Sequence, residues 1–290
     1  MQNKTGRIGV IMNNKVVFLD IDGTMIDFTG SMPKSAEYAI KEAMKNGHHM
    51  VICSGRSLYQ IYPKLMEMNF NGVVAADGAC VVHNGKEIFH KYMESDKRKW
   101  LVDYLEKNNF IFDIQANTKT IGSEKCIEAV KKDLMSRGVT EEMYKTVAGH
   151  IEIRKDLWAE EHAEKVVYID SPFSLEKVRQ DLSPYFEVTG SSLENESRGG
   201  EICMAGINKA TGMEIYLKHI GMDRKDSIAI GDGPNDFEML AYANIGIAMG
   251  NAREELKKVA DYVTTDINDN GIYHAFVKFG LIKEAMILDV

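Results

Sequence analysis

Two aspartates, Asp20 and Asp22, stand at i and i+2 where the apolar run Val16-Val17-Phe18-Leu19 ends, and Gly23-Thr24 follows them. In an extended chain, residues two apart point to the same side. The spacing therefore sets two carboxylates side by side at the end of a buried strand, where open α/β folds place their ligands. Carboxylates crowded in this way repel unless a cation or a shared proton relieves them. The pair suits a Mg²⁺-assisted reaction in which one Asp attacks and the other moves a proton. The same residues would also serve as a strand end with a solvated Asp-Gly turn.

Three later segments bear on that choice. His48-His49-Met50-Val51-Ile52-Cys53 runs strand-like into Ser54-Gly55-Arg56, and a helix-like stretch follows from Ser57. A hydroxyl and bare N–H groups at a strand-to-helix turn can hold phosphate oxygens, although a Ser helix cap has the same appearance. Lys209 opens an amphipathic segment that runs to His219. Ser227-Ile228-Ala229-Ile230 enters Gly231-Asp232-Gly233-Pro234-Asn235-Asp236. There an apolar strand again ends in acids, and Pro234 suits a first helical turn. Two carboxylates and an amide are the oxygen donors that a Mg²⁺ site uses.

In this order the four segments resemble the motifs of the haloacid dehalogenase superfamily of phosphotransferases. Phe237-Glu238-Met239-Leu240, Ala248-Met249-Gly250-Asn251-Ala252, Ala260-Asp261-Tyr262-Val263-Thr264 and Asn270-Gly271-Ile272 are similar to the C-terminal part of its Cof-type subfamily, whose members carry a large type IIB cap. Where relatives usually show Asn-Gly-Ala, this chain has Asp77-Gly78-Ala79. The resemblance implies a Mg²⁺-dependent phosphatase acting through an aspartyl-phosphate on a small phosphorylated metabolite, such as a sugar phosphate or a phosphorylated cofactor. Asp20 would be the nucleophile and Asp22 the general acid and base, with Lys209 completing the catalytic set. Asp20, the backbone carbonyl of Asp22, and Asp232 would hold the metal, with Asp236 acting through water or orienting that shell. Ser54, Gly55, Lys209 and Asn235 would bind the phosphoryl oxygens. A phosphomutase or phosphotransferase of the same architecture would differ in what accepts the phosphoryl group. A receiver-like or phosphate-sensing module would keep the aspartyl-phosphate, which a base two residues from the nucleophile opposes.

These residues need elements to position them. Strands are expected at 15–20, 48–53, 72–76, 202–204, 227–230, 245–248 and 262–264. Helices are expected at 34–46, 57–68, 208–220, 235–243, 252–259 and 271–279. Such alternation implies a doubly wound, mostly parallel α/β sheet of Rossmann-like form. The middle of the chain reads as an inserted α+β cap. It opens on the Asn84-Gly85 hairpin signal, with helices near 95–108 and 124–137 and strands at 110–114, 150–154 and 165–169. Ser171 caps a further helix at Pro172. The expected division is a discontinuous core, 1–82 and 190–290, around a cap at 83–189. Ser191 to Gly200 reads as the return linker. In the cap, His150, Arg154, Lys155 and Trp158 form a basic and aromatic group; Arg154 and Trp158 are the candidates for substrate specificity, and a solvated strand face is the alternative.

The 290 residues suffice for two units, and a net charge of −8 argues against nucleic acid or an anionic membrane as partner. No apolar run approaches the length needed to span a bilayer. Cys53, Cys80, Cys126 and Cys203 are scattered without zinc spacing and read as reduced thiols of a cytoplasmic protein. Met1 to Asn14 looks like a leader, with Met12 an alternative start. The sequence leaves the monomer or homodimer state open.

Overall fold

The computed structural model describes residues 14–27, 29–136, 151–190 and 199–285. Residues 1–13 of the expected leader, His150, and residues 191–198 of the expected linker lie outside them.

The first sheet holds eight strands: β1 (Val16–Leu19), β2 (His49–Cys53), β3 (Gly72–Ala75), β4 (Cys80–His83), β5 (Lys86–His90), β12 (Ser227–Gly231), β13 (Ile245–Ala248) and β14 (Tyr262–Val263). Their order is β14-β13-β12-β1-β2-β3-β4-β5. Pairing is parallel from β14 to β3 and antiparallel onward to β5. β1 is central because all four of its side chains are apolar and buried, as a strand covered on both faces requires. Phe18 meets Tyr216 edge to face, with ring centroids 5.9 Å apart. The helices of this unit are α1 (Lys34–Lys45), α2 (Pro63–Met66), α6 (Lys209–Ile220), α7 (Phe237–Tyr242), α8 (Glu254–Val259) and α9 (Gly271–Lys278).

The second sheet has the order β10-β11-β9-β6-β7-β8. It is built from β6 (Ile111–Ala116), β7 (Thr120–Gly122), β8 (Ile151–Ile153), β9 (Ala163–Asp170), β10 (Phe186–Gly190) and β11 (Gly200–Met204). Helices α3 (Ser95–Lys107), α4 (Glu124–Ser136) and α5 (Leu175–Leu182) belong to this unit. Its core is a separate apolar cluster that includes Leu101, Leu105, Ile114, Val166 and Ile202. No helix among the described residues is long and apolar enough to cross a membrane.

Strand pairing moves both expected boundaries. Asn84 and Gly85, both at positive φ, fold β5 back on β4, so the hairpin stays in the first sheet to residue 90 rather than leaving at 82. At the other end β11 pairs with β10 and β9. The strand expected in the core at 202–204 is therefore in the second sheet, and the first unit resumes after Met204 rather than at 190. The helix expected at 57–68 is two short turns, Leu58–Gln60 and Pro63–Met66. Pro63 pushes the preceding residue out of helical backbone, and Ile61 and Tyr62 have ψ of 133° and 128°. The cap of α5 is Ser174, whose hydroxyl oxygen accepts from the Lys177 N–H. Ser171 instead accepts from Phe173 N–H at 3.0 Å in the turn before it.

Phe18→Ala should cost about 3–5 kcal/mol in denaturant unfolding, because a fully buried aromatic leaves a cavity. A loss under about 1 kcal/mol would show that β1 is not the packed centre of this sheet.

Candidate active site

The carboxyl ends of β1 and β12 lie side by side. The Asp20 N–H donates to Ile230 O at 3.0 Å, which ties the two strand ends together. Asp22 follows the turn, with its side chain half exposed. Gly23 adopts φ +85°, and a Cβ there would come within 2.1 Å of Asp232 Oδ2. The glycine lets the turn after β1 close against the loop after β12. Thr24 Oγ1 then donates to Asp232 Oδ1 at 2.8 Å.

Lys209 enters from the first turn of α6, which Asn208 caps by accepting from Thr211 N–H at 3.0 Å. The lysine is fully buried. Its Nζ lies 2.6 Å from Asp20 Oδ1 and 2.6 Å from Asp236 Oδ1. The other Asp236 oxygen accepts from the Asp232 and Gly233 N–H groups at 2.9 and 2.8 Å. Both Asp236 oxygens are thus engaged, and its side chain braces the loop that carries Asp232.

Asp20, Asp232 and Asp236 each bring one carboxylate oxygen within 4.8 Å of the others. Burial, with the charges of Asp236, Asp232 and Asp22, pushes Asp20 well above the usual carboxylate range despite Lys209. Burial and Asp236 push Asp232 up to about 7. Two of the three carboxyls are held toward protonation because, ionised together, they would carry more negative charge than one lysine offsets. Hard oxygen donors of this kind fit a divalent cation. Asp20 and Asp232 have the oxygens to hold it.

The phosphate-binding candidates surround this centre. Ser54 N–H donates to Val74 O, and Ser54 Oγ accepts from Arg56 N–H at 3.2 Å. A Cβ on Gly55 would fall 2.9 Å from Asn235 Nδ2, so the bare backbone lets the two loops meet without displacing that side chain. Asn235 Nδ2 donates to Asp77 Oδ1 at 3.0 Å. The structure thus brings Asp20, Ser54, Gly55, Lys209, Asp232, Asn235 and Asp236 to adjoining loops.

Four contacting residues had no role in the sequence reading. Arg56 grips Asp22 in a fork, Nε to Oδ2 at 2.7 Å and Nη2 to Oδ1 at 2.9 Å, and lies over the Tyr62 ring. Its position directly after Ser54-Gly55 was the available signal. Asp77, noted only as a departure from the family pattern, accepts from Lys165 Nζ at 2.9 Å. Lys165 also reaches Glu201 at 2.9 Å. Burial pushes Asp77 up, but Lys165 and Lys209 hold it well below the usual range. Lys165 and Glu201 come from β9 and β11, and nothing in their local sequence marks them.

Arg154 and Trp158, the candidates for substrate specificity, are not among the residues that line the cavity beside Lys209. Arg154 is held by Asp156 at 3.2 Å and Glu160 at 3.0 Å. Trp158 stands 42 % exposed under Lys99. Neighbouring acids absorb the basic charge that suggested anion binding. The cavity is instead lined from the second unit by Glu187, Thr189 and Cys203.

A model of haloacid dehalogenase-like hydrolases matches residues 17–276. The chain belongs to this family. The match spans both units, and several relatives align along their whole length. A Bacillus subtilis protein named "Putative phosphatase YkrA" is 28 % identical over 285 residues, covering 94 % of this chain and all of the relative. A phosphoglycolate phosphatase of Methanobrevibacter smithii is 27 % identical over 270 residues, covering 93 % and 100 %. A phosphatase of the haloalkanoate enzyme superfamily from Bacteroides thetaiotaomicron shares the fold, with a TM-score of 0.78 at 24 % identity over 96 % of this chain and all of that one.

Asp232→Asn should raise the melting temperature of the chelator-treated protein by a few degrees while removing activity. The sign follows from the raised carboxyl: the folded state holds a proton that the unfolded chain, with an ordinary carboxyl, releases. The resulting penalty grows between about pH 4 and 7 and is complete above. Thermal unfolding at pH 8 and at pH 4.5 should therefore show the gain at the higher pH and much less at the lower. Equal melting temperatures for variant and parent at both would contradict this account of the site's charge.

Proposed function

We propose that this hydrolase is a Mg²⁺-dependent phosphatase that uses Asp20 as nucleophile on the phosphate monoester of a small, hydroxyl-rich metabolite. The observation that carries the reading is Lys209 Nζ at 2.6 Å from both Asp20 and Asp236, beside Asp232.

Asp20 is aligned by its backbone bond to β12 and by Lys209, which keeps positive charge beside the attacking oxygen. When bound by Asp20, Asp232 and the Asp22 carbonyl, Mg²⁺ would offset repulsion between carboxylate and phosphate and polarise the P–O bond. Attack by Asp20 on phosphorus gives an aspartyl-phosphate and expels the alkoxide. Asp22 protonates that leaving oxygen and then takes a proton from the water that cleaves the acyl phosphate. Its fork from Arg56 holds the carboxylate in one orientation and has to loosen at one edge for the transfer. Ser54 Oγ accepts from the Arg56 N–H, so its own hydroxyl hydrogen can donate to a phosphoryl oxygen, together with the Gly55 N–H and Lys209. Asp236 orients Asp232 through two N–H groups.

The leaving group belongs in the cavity that opens beside Lys209 between the two units. Asp77, Asn208, Asn235 and Glu238 face it from one side, and Glu187 and Thr189 from the other. A lining rich in carboxylates and amides accepts and donates to hydroxyl groups and repels a second anion. Sugar and polyol phosphates fit this lining better than substrates with a carboxylate or a second phosphate.

Asp20→Asn should lower turnover by several orders of magnitude with the fold unchanged by circular dichroism. Chelation should silence the parent and Mg²⁺ should restore it, whereas Ca²⁺, with its looser and larger coordination shell, should support little turnover. Retention of more than about a tenth of kcat by Asp20→Asn would remove Asp20 as nucleophile. The released product decides between hydrolysis and mutase chemistry: free phosphate is expected, and an isomerised sugar phosphate would overturn the phosphatase reading.

A panel of substrates tests the cavity. kcat/KM for neutral sugar phosphates should exceed that for their carboxylate-bearing counterparts by about ten- to two-hundred-fold. Glu238→Gln should narrow that gap while leaving a small aryl phosphate little changed. A preference for the anionic substrates would contradict the assignment.

A further inference from the structure

A second cluster of metal-binding side chains lies away from the aspartate centre, on the β4–β5 hairpin. Cys80 and His90 are direct partners across the two antiparallel strands, and Glu87 sits beside the irregularity in their register. The Cys80 thiol, a Glu87 carboxylate oxygen and a His90 ring nitrogen lie within 4.8 Å of one another. We propose that Cys80, Glu87 and His90 form a site for a borderline-soft divalent transition metal, Zn²⁺ in chemical class.

The ring orientation supports the assignment. His90 Nδ1 faces the cluster, 2.7 Å from Glu87 Oε2 and 3.0 Å from the Tyr92 hydroxyl. His90 Nε2 faces the other way, to Glu164 Oε1 at 2.6 Å. Metal-bound histidines commonly give their second ring N–H to a carboxylate, which fixes the tautomer and leaves the other nitrogen as ligand. Glu164 is itself 1 % exposed, and its other oxygen accepts from the Ser57 hydroxyl. Its position is held from the core, so it in turn fixes the ring. With no cation, Glu87 and Glu164 each hold one edge of the ring, and a dication at Nδ1 would displace the proton there.

The donor set separates this site from the active centre. Sulfur, nitrogen and a single carboxylate favour zinc-like ions, whereas the three aspartates offer only hard oxygen. Cys80 is buried, His90 is half-buried and Glu87 is exposed, so solvent reaches the cluster from the Glu87 side and a water can complete a tetrahedron. Through Glu164, on β9, the cluster joins the junction where the chain passes between its two units. Occupancy would fasten that junction, with Ser57 three residues after Ser54 on its core side.

The test uses the full-length protein stripped with chelator and returned to millimolar Mg²⁺, which fills the aspartate centre. Titration with Co²⁺ should give an equimolar complex with a near-ultraviolet thiolate-to-cobalt absorption band, and Zn²⁺ should displace it. Cys80→Ser should abolish the band, and Cys126→Ser should keep it. His90→Gln should weaken binding at least tenfold with the thiol intact, a readout that stands if Cys80→Ser does not fold. Glu164→Gln should weaken it by about ten- to a hundred-fold through loss of the ring's orientation. Absence of a thiolate band at equimolar Co²⁺, or a band that survives Cys80→Ser, would overturn the proposal. So would unchanged affinity in His90→Gln.

Discussion

The structure depends on one buried ammonium. Lys209 starts a helix, where the aligned backbone dipole disfavours positive charge, and it is removed from water entirely. Two carboxylates at 2.6 Å make this tolerable and keep the lysine charged. The carboxylates are equally dependent on it, since Asp20, Asp232 and Asp236 would otherwise face one another in a dry site. Removing one partner of such a group leaves the others buried and uncompensated, which costs far more than an exposed pair is worth. β1, β12 and α6 are therefore committed to one arrangement, with Asp20 and Lys209 in contact across 189 positions of sequence.

The site remains electrostatically unfavourable even so. Asp232 is held near neutrality only by being pushed up to about 7, and Asp236 has both oxygens occupied. Charge of this kind destabilises the fold and would be relieved by a bound cation, a trade that active sites often show. The surrounding turns are shaped to enforce it: Gly23 and Gly55 each sit where a Cβ would strike a site residue. Asn251 adds a tether by donating to Gly23 O and accepting from Ile267 N–H.

Charge also joins the two units. Lys165 bridges Asp77 of the core loop and Glu201 of the second sheet, while Glu164 links Ser57 to His90. Asp77 lines the cavity beside Lys209, and Glu164 stands at the chain crossing. Opening the cavity by moving the second unit would expose Lys165 and Asp77 to water, and solvation would recover much of what the ion pair loses. A polar closure of this kind can open and close in a catalytic cycle, whereas a large apolar interface would resist it.

Much of the core was legible from the sequence because local signals and tertiary contacts agree there. Apolar runs that end in acids mark strand ends at Asp20 and Asp232, and the alternation of strand and helix patterns gives a parallel sheet. The second unit was less legible. Its β11 has the same apolar pattern as a core strand, and only hydrogen bonding to β9 and β10 decides which sheet it joins. Arg154 and Trp158 stood out by residue type, yet neighbouring acids and Lys99 occupy them, a fact that spacing cannot reveal. Arg56, Asp77, Lys165 and Glu201 carried weak or no local signal, because their partners in the site lie 34 to 158 residues away. Likewise no zinc spacing links Cys80 to Glu87 and His90; the cluster exists because an Asn-Gly turn folds one strand onto another. The sequence by itself determined which residues could do the chemistry and the kind of sheet that carries them. The tertiary structure decided which charges neutralise one another, since Coulomb interactions depend on distance and burial, and the chain sets both only when it is folded.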